Sequence, residues 1–541
     1  MDRVSEILLF LQCYISSPKG PPPPCAPVLL VTWLMGACLA IVSAAHQACF
    51  KLAHALTEIL TRAPLQQPPP PPKMEEDLEE RLLAEMSSIA AEKWTKQDSG
   101  APKVPKSMVA SVRRIVKSVQ SNSISGKSLL DFAYTKTDGE EKLLKVTSAS
   151  VPNGILPEGY VGVLHDIKVS GRQADDSIYS NHPDIRQKIP RGTTVMDLKH
   201  GSDETLEQDI VIYANRKFTG SIGDEDDLQP ENNDQWKKYF LKDQEEARQV
   251  LCMEKVNGEA AHFSGRFIEN QFYIITGSKN VHMIIKKEED IDKYEGERYN
   301  FAKVVARCVW HSLQALEDGN RKFLQRFLDK TKCTAICELL QRENQHIISL
   351  DHLEEPLLTV IGFTPTASNE EPSSLVAIPP HHTLDLLSCL GFTVPTHTVI
   401  PVEELQRHRE EIRLGYQTEG KVLYFLDKDE ETIGLVKIKT MWYIMLRALR
   451  EKLIYTTRRR QGWTVEDRIE SAHKRFKEIQ EWLLFSDNYL DGWKELASTF
   501  MKSVDEKIKE DCVKLEEIRP TYPTMWKKFL QETNRSDIVK P

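Results

Sequence analysis

The feature that most restricts the fold of this chain is a change of period repeated along residues 151–455. Short runs rich in β-branched and aromatic residues (YVGVLHDIKV, DIVIYA, FYIITG, HMIIK, KVLYFL and GLVKIK) alternate with helical stretches such as 298–328. Runs this short, set between polar turns, read as strands. The chain is therefore expected to be α+β, with antiparallel sheets flanked by helices. After Gly462 the pattern changes again. Thr464 with Asp467 has the spacing of a capping box. Ile469, Ala472, Phe476, Ile479 and Leu483 then recur every three or four residues, which predicts a C-terminal all-helical domain over 456–541.

Residues 1–73 follow different rules. They hold 12 of the 29 prolines, in runs at 21–24 and 68–72. The uncharged stretch 25–45 between those runs has about the length that crosses a bilayer as a helix, so it is a membrane-anchor candidate. The second proline run reads as a semi-rigid spacer. Residues 74–150 begin helical and charged and become polar and basic, with no evident chemistry, so they read as an extension ahead of a central domain at 151–455.

Composition excludes several classes. With 40% hydrophobic and 28% charged residues, the 541-residue chain is neither collagen-like, mucin-like nor disordered throughout. A net charge of −9 argues against coating nucleic acid by charge alone, while leaving room for a local basic groove. The ten cysteines form no Cys-x-x-Cys pair and no zinc-finger spacing, so they read as reduced thiols of an intracellular protein.

The chemistry-bearing strings come in a fixed order. Lys255-Val256-Asn257-Gly258 puts an amine at the end of an apolar run, beside a tight turn; alone, it is also what a surface hairpin turn looks like. Thr276-Gly277-Ser278-Lys279 follows, then Thr334-Ala335-Ile336-Cys337-Glu338-Leu339 with Gln345-His346-Ile347 behind it, then Glu419-Gly420-Lys421, then Gly434-Leu435-Val436-Lys437-Ile438-Lys439. Strand alternation puts Lys437 and Lys439 on one face and Val436 and Ile438 on the other.

This series resembles the covalent nucleotidyltransferase superfamily of polynucleotide ligases and capping enzymes, and is most similar to the ligase domain of fungal tRNA ligase and to phage RNA ligase. Upstream, Pro190-Arg191-Gly192-Thr193 resembles that branch's Arg-Gly element. Arg216-Lys217-Phe218, with Gly223-Asp224-Glu225, resembles a second element in degraded form. Asn257 stands where most of the superfamily has aspartate. The resemblance implies an ATP-grasp-like ligase domain that seals 5′-phosphate and 3′-hydroxyl RNA ends, in RNA repair or tRNA splicing, through a lysyl-AMP on Lys255. It implies ATP with Mg²⁺ or Mn²⁺, a nucleotide site of Arg191, Lys217, Asn257, Gly258, Lys279, Glu338, Glu419, Lys437 and Lys439, and metal contacts from Glu338 and Glu419.

These residue types suit that reaction. A lysine must lose its proton to attack a phosphate, and its ordinary pKa is about 10.4. Neighbouring cations disfavour the ammonium, which is the expected effect of Lys279, Lys437 and Lys439 on Lys255. Between 437 and 460 eight cations face Glu451 alone, a net of +7. Arg447, Arg450, Arg458, Arg459 and Arg460 are accordingly expected to track an RNA backbone. Tyr443, Tyr455 and Trp463 read as core.

There is no Gly-x-x-x-x-Gly-Lys-Ser/Thr loop. His381-His382-Thr383 is a single His-x-Thr where phosphodiesterase chemistry needs two, so it reads as a loop. End-healing would then fall to separate enzymes, with the C-terminal helices selecting the RNA. Two alternatives remain at this stage. One is another nucleotidyltransferase such as a guanylyltransferase or DNA ligase, although the helical text after 462 is unlike their usual OB-fold. The other is a non-catalytic RNA-binding or membrane-tethered scaffold.

Overall fold

The computed structural model describes residues 74–94, 104–121, 125–137, 141–171, 173–201, 207–220, 235–368, 371–459, 463–514 and 516–541. The proline-rich leader, the anchor candidate at 25–45, Gly223-Asp224-Glu225 and Arg460 lie outside them. Among the described residues no helix is long and apolar enough to cross a membrane. Residues 76–541 form one compact unit.

Among the described residues, three sheets carry the fold. The first is the antiparallel meander of β1 (Leu144–Ser150), β2 (Tyr160–Val169), β3 (Thr193–His200) and β4 (Glu207–Tyr213). Later strands, in chain order, are β5 (Thr219–Gly220), β6 (Gln249–Glu254), β7 (Glu259–Ile268), β8 (Gln271–Ser278), β9 (Val281–Ile285), β10 (Thr334–Leu340), β11 (Leu357–Thr364), β12 (His397–Pro401), β13 (Gly420–Leu426) and β14 (Thr432–Lys439). They build a sheet in the order β11-β10-β7-β8-β9 and another in the order β12-β6-β13-β14-β5. Among the described strands all pairings are antiparallel except β14 with the short β5. The expected mixture of antiparallel sheets and helices is therefore present.

The stretch expected to be helical over 298–328 is two helices, Asn300–Gln314 and Asp318–Thr331. Their buried Val305, Val309, Phe323 and Phe327 close the largest apolar core over β7 and β8. Helix Lys106–Gln120 adds Met108, Val112, Ile115 and Val116 to the same core. His381-His382-Thr383, read above as a loop, instead opens helix Pro380–Leu390: Pro380 fits the first turn, where no N–H is needed, and Leu384, Leu387 and Leu390 bury one face.

Helices Met441–Arg459, Val465–Leu483, Asp487–Lys509 and Ile518–Thr533 make the C-terminal region. The Thr464/Asp467 capping box is formed, and Ile469, Ala472, Phe476 and Ile479 are buried as the periodicity predicts. Trp493 and Trp526 stack at its centre, 5.8 Å apart and nearly coplanar. This helical region also reaches the central domain. Thr524 Oγ1 accepts from Gln345 Nε2 (3.1 Å) while donating to Asp351 Oδ1 (2.7 Å).

A candidate active site between two sheets

Lys255-Val256-Asn257-Gly258 is the link by which the chain leaves the end of β6 in one sheet and enters β7 in the next. Lys255 N still donates to Gly420 O (2.9 Å), extending the β6–β13 ladder by one bond. Gly258 passes close to β10, where an added Cβ would lie 2.6 Å from Leu339 O. Gly420 has φ +130°, and a Cβ there would lie 2.0 Å from Ile438 O. Glycine is what lets both backbones approach.

The side chains of that link gather the carboxylates. Lys255 Nζ is 2.8 Å from Glu419 Oε1. Asn257 Nδ2 donates to the other oxygen, Glu419 Oε2 (2.6 Å), and also approaches Tyr443 Oη (3.2 Å). Asn257 Oδ1 accepts from the backbone of Ile347 (3.2 Å) and Ile348 (3.1 Å). The Asn of the turn thus ties the Glu-Gly strand, the Gln-His-Ile segment and the helix after β14 into one buried node. Sequence reasoning treated Tyr443 as core; it is buried, but its hydroxyl faces this node.

Glu338 lies on β10 opposite Ala260 of β7. Its Oε2 is buried without a hydrogen-bond partner. Burial pushes the Glu338 carboxyl up to about 7; Lys255 pulls it down and Glu419 adds repulsion. Burial likewise works against charge on Glu419, but Lys255, Lys439 and the Asn257 amide hold its carboxyl below the ordinary range. Two carboxylates, one with an unsatisfied oxygen, are a donor set that fits Mg²⁺ or Mn²⁺, ions that combine few protein oxygens with phosphate oxygens and water.

Lys255 itself departs from expectation. Burial disfavours its ammonium, yet Glu419 and then Glu338 outweigh burial and raise its pKa above the ordinary value. The expected effect of Lys279, Lys437 and Lys439 does not set it; the carboxylates do.

The cations form a second group. Val436 and Ile438 point into the core while Lys437 and Lys439 take the other face, as strand alternation required. Lys439 is buried and its charge is felt at Glu419. Lys217, in the degraded element, is only 4% exposed. Burial, Lys437 and Arg191 together lower its pKa. Lys217 pairs with Asp176, while Lys279 Nζ (2.8 Å) and an Arg191 guanidinium nitrogen (3.7 Å) converge on Asp175. Asp175 and Asp176 open helix Asp175–Asn181 and were not anticipated, because no motif marks them. They stand where the cations expected to hold a polyphosphate meet.

The expected RNA track is only partly a surface. Arg450 is buried, donating to His346 O (3.0 Å) and pairing with Glu451, so it holds the Gln-His-Ile segment instead of facing outward. Arg447 is half-buried, with its charge felt at Tyr443. Arg458 and Arg459 end the helix that follows β14, and their side chains are not among the described ones.

Residues 159–450 match the family described as domain of unknown function DUF7920, and the chain belongs to that family. No curated protein matches the chain. Among solved structures, an archaeal ATP-dependent RNA ligase is 14% identical, over 71% of this chain and 78% of that one, at a TM-score of 0.37. A Naegleria gruberi RNA ligase variant with ATP and Mn is 13% identical, over 56% of this chain and 97% of that one, at a TM-score of 0.26.

Proposed function

We propose that this protein is an ATP-dependent RNA ligase that joins 5′-phosphate to 3′-hydroxyl ends through a lysyl-AMP on Lys255. One observation carries the reading: four motif elements far apart in sequence supply Lys255 and Asn257, Glu338, Glu419 and Lys439 to one buried node.

A 5′-phosphate is a poor electrophile because its leaving group would be oxide. Covalent catalysis divides the problem. Neutral Lys255 Nζ attacks the α-phosphorus of ATP, forming the N–P bond as the bond to pyrophosphate breaks. The RNA 5′-phosphate then takes AMP from Lys255. Finally the 3′-hydroxyl attacks the activated phosphate and AMP leaves. Glu419 fixes the direction of Nζ. Lys439 and Lys437, with Arg191, Lys217 and Lys279, supply positive charge for the polyphosphate once it displaces Asp175 and Asp176. Glu338 and Glu419 would hold the divalent ion, which when bound screens the phosphates and reduces the carboxylates' grip on the Lys255 proton.

The test is to incubate purified full-length protein with α-labelled ATP or GTP and denature it. Label retained from ATP, and lost in Lys255→Ala, supports the reading. Retention from GTP alone would favour a guanylyltransferase, and no retention from either a binding scaffold.

A further inference from the structure

The hairpin that brings Glu419 and Lys439 to the site turns at its opposite end, through 427–431, roughly 20 Å away at the rise of a seven-residue strand. A second cluster sits there. His381 Nε2 and His382 Nε2 lie 3.6 Å and 3.3 Å from one oxygen, Glu430 Oε2. The two imidazole centroids are only 3.8 Å apart. Ser107, in helix Lys106–Gln120, donates to that same Glu430 oxygen. Trp94 packs edge-on against His382. Glu430 has φ +60°, a left-handed conformation that costs a residue with a Cβ on the order of 1 kcal/mol.

As an ion-pair cluster the arrangement is crowded. A carboxylate oxygen accepts about two hydrogen bonds, and three groups converge on this one. Two imidazoles this close cannot both carry charge without repulsion. A cation among them resolves both problems. Three ligand atoms at about 2.0–2.1 Å from a tetrahedral zinc stand about 3.4 Å apart, which matches the 3.6 Å and 3.3 Å separations found. Among the described residues, His381, His382 and Glu430 are the group of three His, Cys, Asp or Glu side chains whose donor atoms lie close enough together to share an ion.

We propose that His381, His382 and Glu430 form a zinc site, separate from the nucleotide site. It ties helix Pro380–Leu390 to the 427–431 turn and, through Ser107, to helix Lys106–Gln120. Two imidazoles and one carboxylate suit a borderline ion such as Zn²⁺ better than Mg²⁺. Three protein ligands leave a fourth position for water. Ser107 orients the carboxylate and the Arg114–Glu431 pair secures the same helix to the same turn.

The full-length protein, stripped with chelator, is titrated with Zn²⁺ alone by calorimetry and with Co²⁺ alone by visible absorption. One equivalent of each should bind, with the intense visible band of tetrahedral cobalt, and zinc should raise the melting temperature. His382→Ala and Glu430→Gln should weaken binding more than about 100-fold, and Ser107→Ala about 10-fold. Glu338→Gln should bind zinc as the wild type does. Failure of the wild type to take up one equivalent overturns the proposal, without recourse to any variant. So does uptake unchanged in a folded His382→Ala, or uptake lost in Glu338→Gln, which would move the ion to the nucleotide site.

Discussion

Lys255 Nζ and Glu419 Oε1 stand 2.8 Å apart at the ends of two hydrogen-bonded strands, so the sheet itself sets the direction of the amine. Glu419 is 3% exposed, which leaves the pair little competition from water. Removing the amine should abolish the denaturation-resistant ATP label, a loss of at least about 100-fold as expected for a covalent nucleophile. Circular dichroism of Lys255→Ala should still show a folded protein, because the alanine keeps the backbone bond to Gly420.

The same pair sets a pH dependence. The carboxylates raise the Lys255 pKa, so at neutral pH the amine is charged and unreactive. Single-turnover adduct formation should therefore climb about tenfold per pH unit from pH 6.5 upward, following the neutral fraction. Thermal stability should not follow it there. A raised lysine pKa stabilises the fold fully below the unfolded value of about 10.5, and this is lost only as pH rises through the higher folded value.

Glu338 is raised too, but its window lies near neutral pH and the form disfavoured is the charged one. Its folded pKa of about 7 lies above the ordinary carboxyl value of 4.5, so the folded state holds an extra proton between them. Stability should fall as pH rises through that window. Without metal or nucleotide, Glu338→Gln should be more stable than wild type at pH 8, on the order of 1–2 kcal/mol, and flatter between pH 5 and 8. It should lose adduct formation at the same time. Melting curves across pH check the first part and labelled ATP the second.

Asn257 satisfies one buried and one half-buried backbone N–H group and one carboxylate oxygen at once. Asn257→Ala leaves all of them without that partner. A loss of about 2–4 kcal/mol is expected in denaturant unfolding. Tyr443→Phe removes only a 3.2 Å contact to the Asn257 amide and should cost about 1 kcal/mol.

Asp175 and Asp176 neutralise the cations that the reaction needs. Asp175→Ala combined with Asp176→Ala should free Arg191, Lys279 and Lys217 for phosphate, lowering the KM for ATP several-fold while leaving kcat close to wild type. A higher KM would instead mean that the two aspartates position those cations for the nucleotide.

Much of this site is legible in one dimension. Gly258 and Gly420 sit where the backbone must approach another strand and local rules favour glycine, while Lys255 and Glu419 are marked by the order of the motifs along the chain. The alternation of Lys437 and Lys439 with Val436 and Ile438 is a property of any strand. The capping box at Thr464 and the apolar repeat after it also need only neighbours within a few residues. What depends on distance along the chain was not legible. Lys255 and Glu419 share an ion pair across 163 intervening residues, and it is this pairing that raises the lysine pKa against the effect of burial. Arg450 belongs by composition to a basic surface, and only packing turns it inward to His346. His381-His382 acquires a partner only because the β13–β14 turn places Glu430 against it. Sequence determines which groups carry charge and which stretches form strand or helix. The tertiary structure decides which charges meet out of water, and electrostatic effects are strongest where water is excluded.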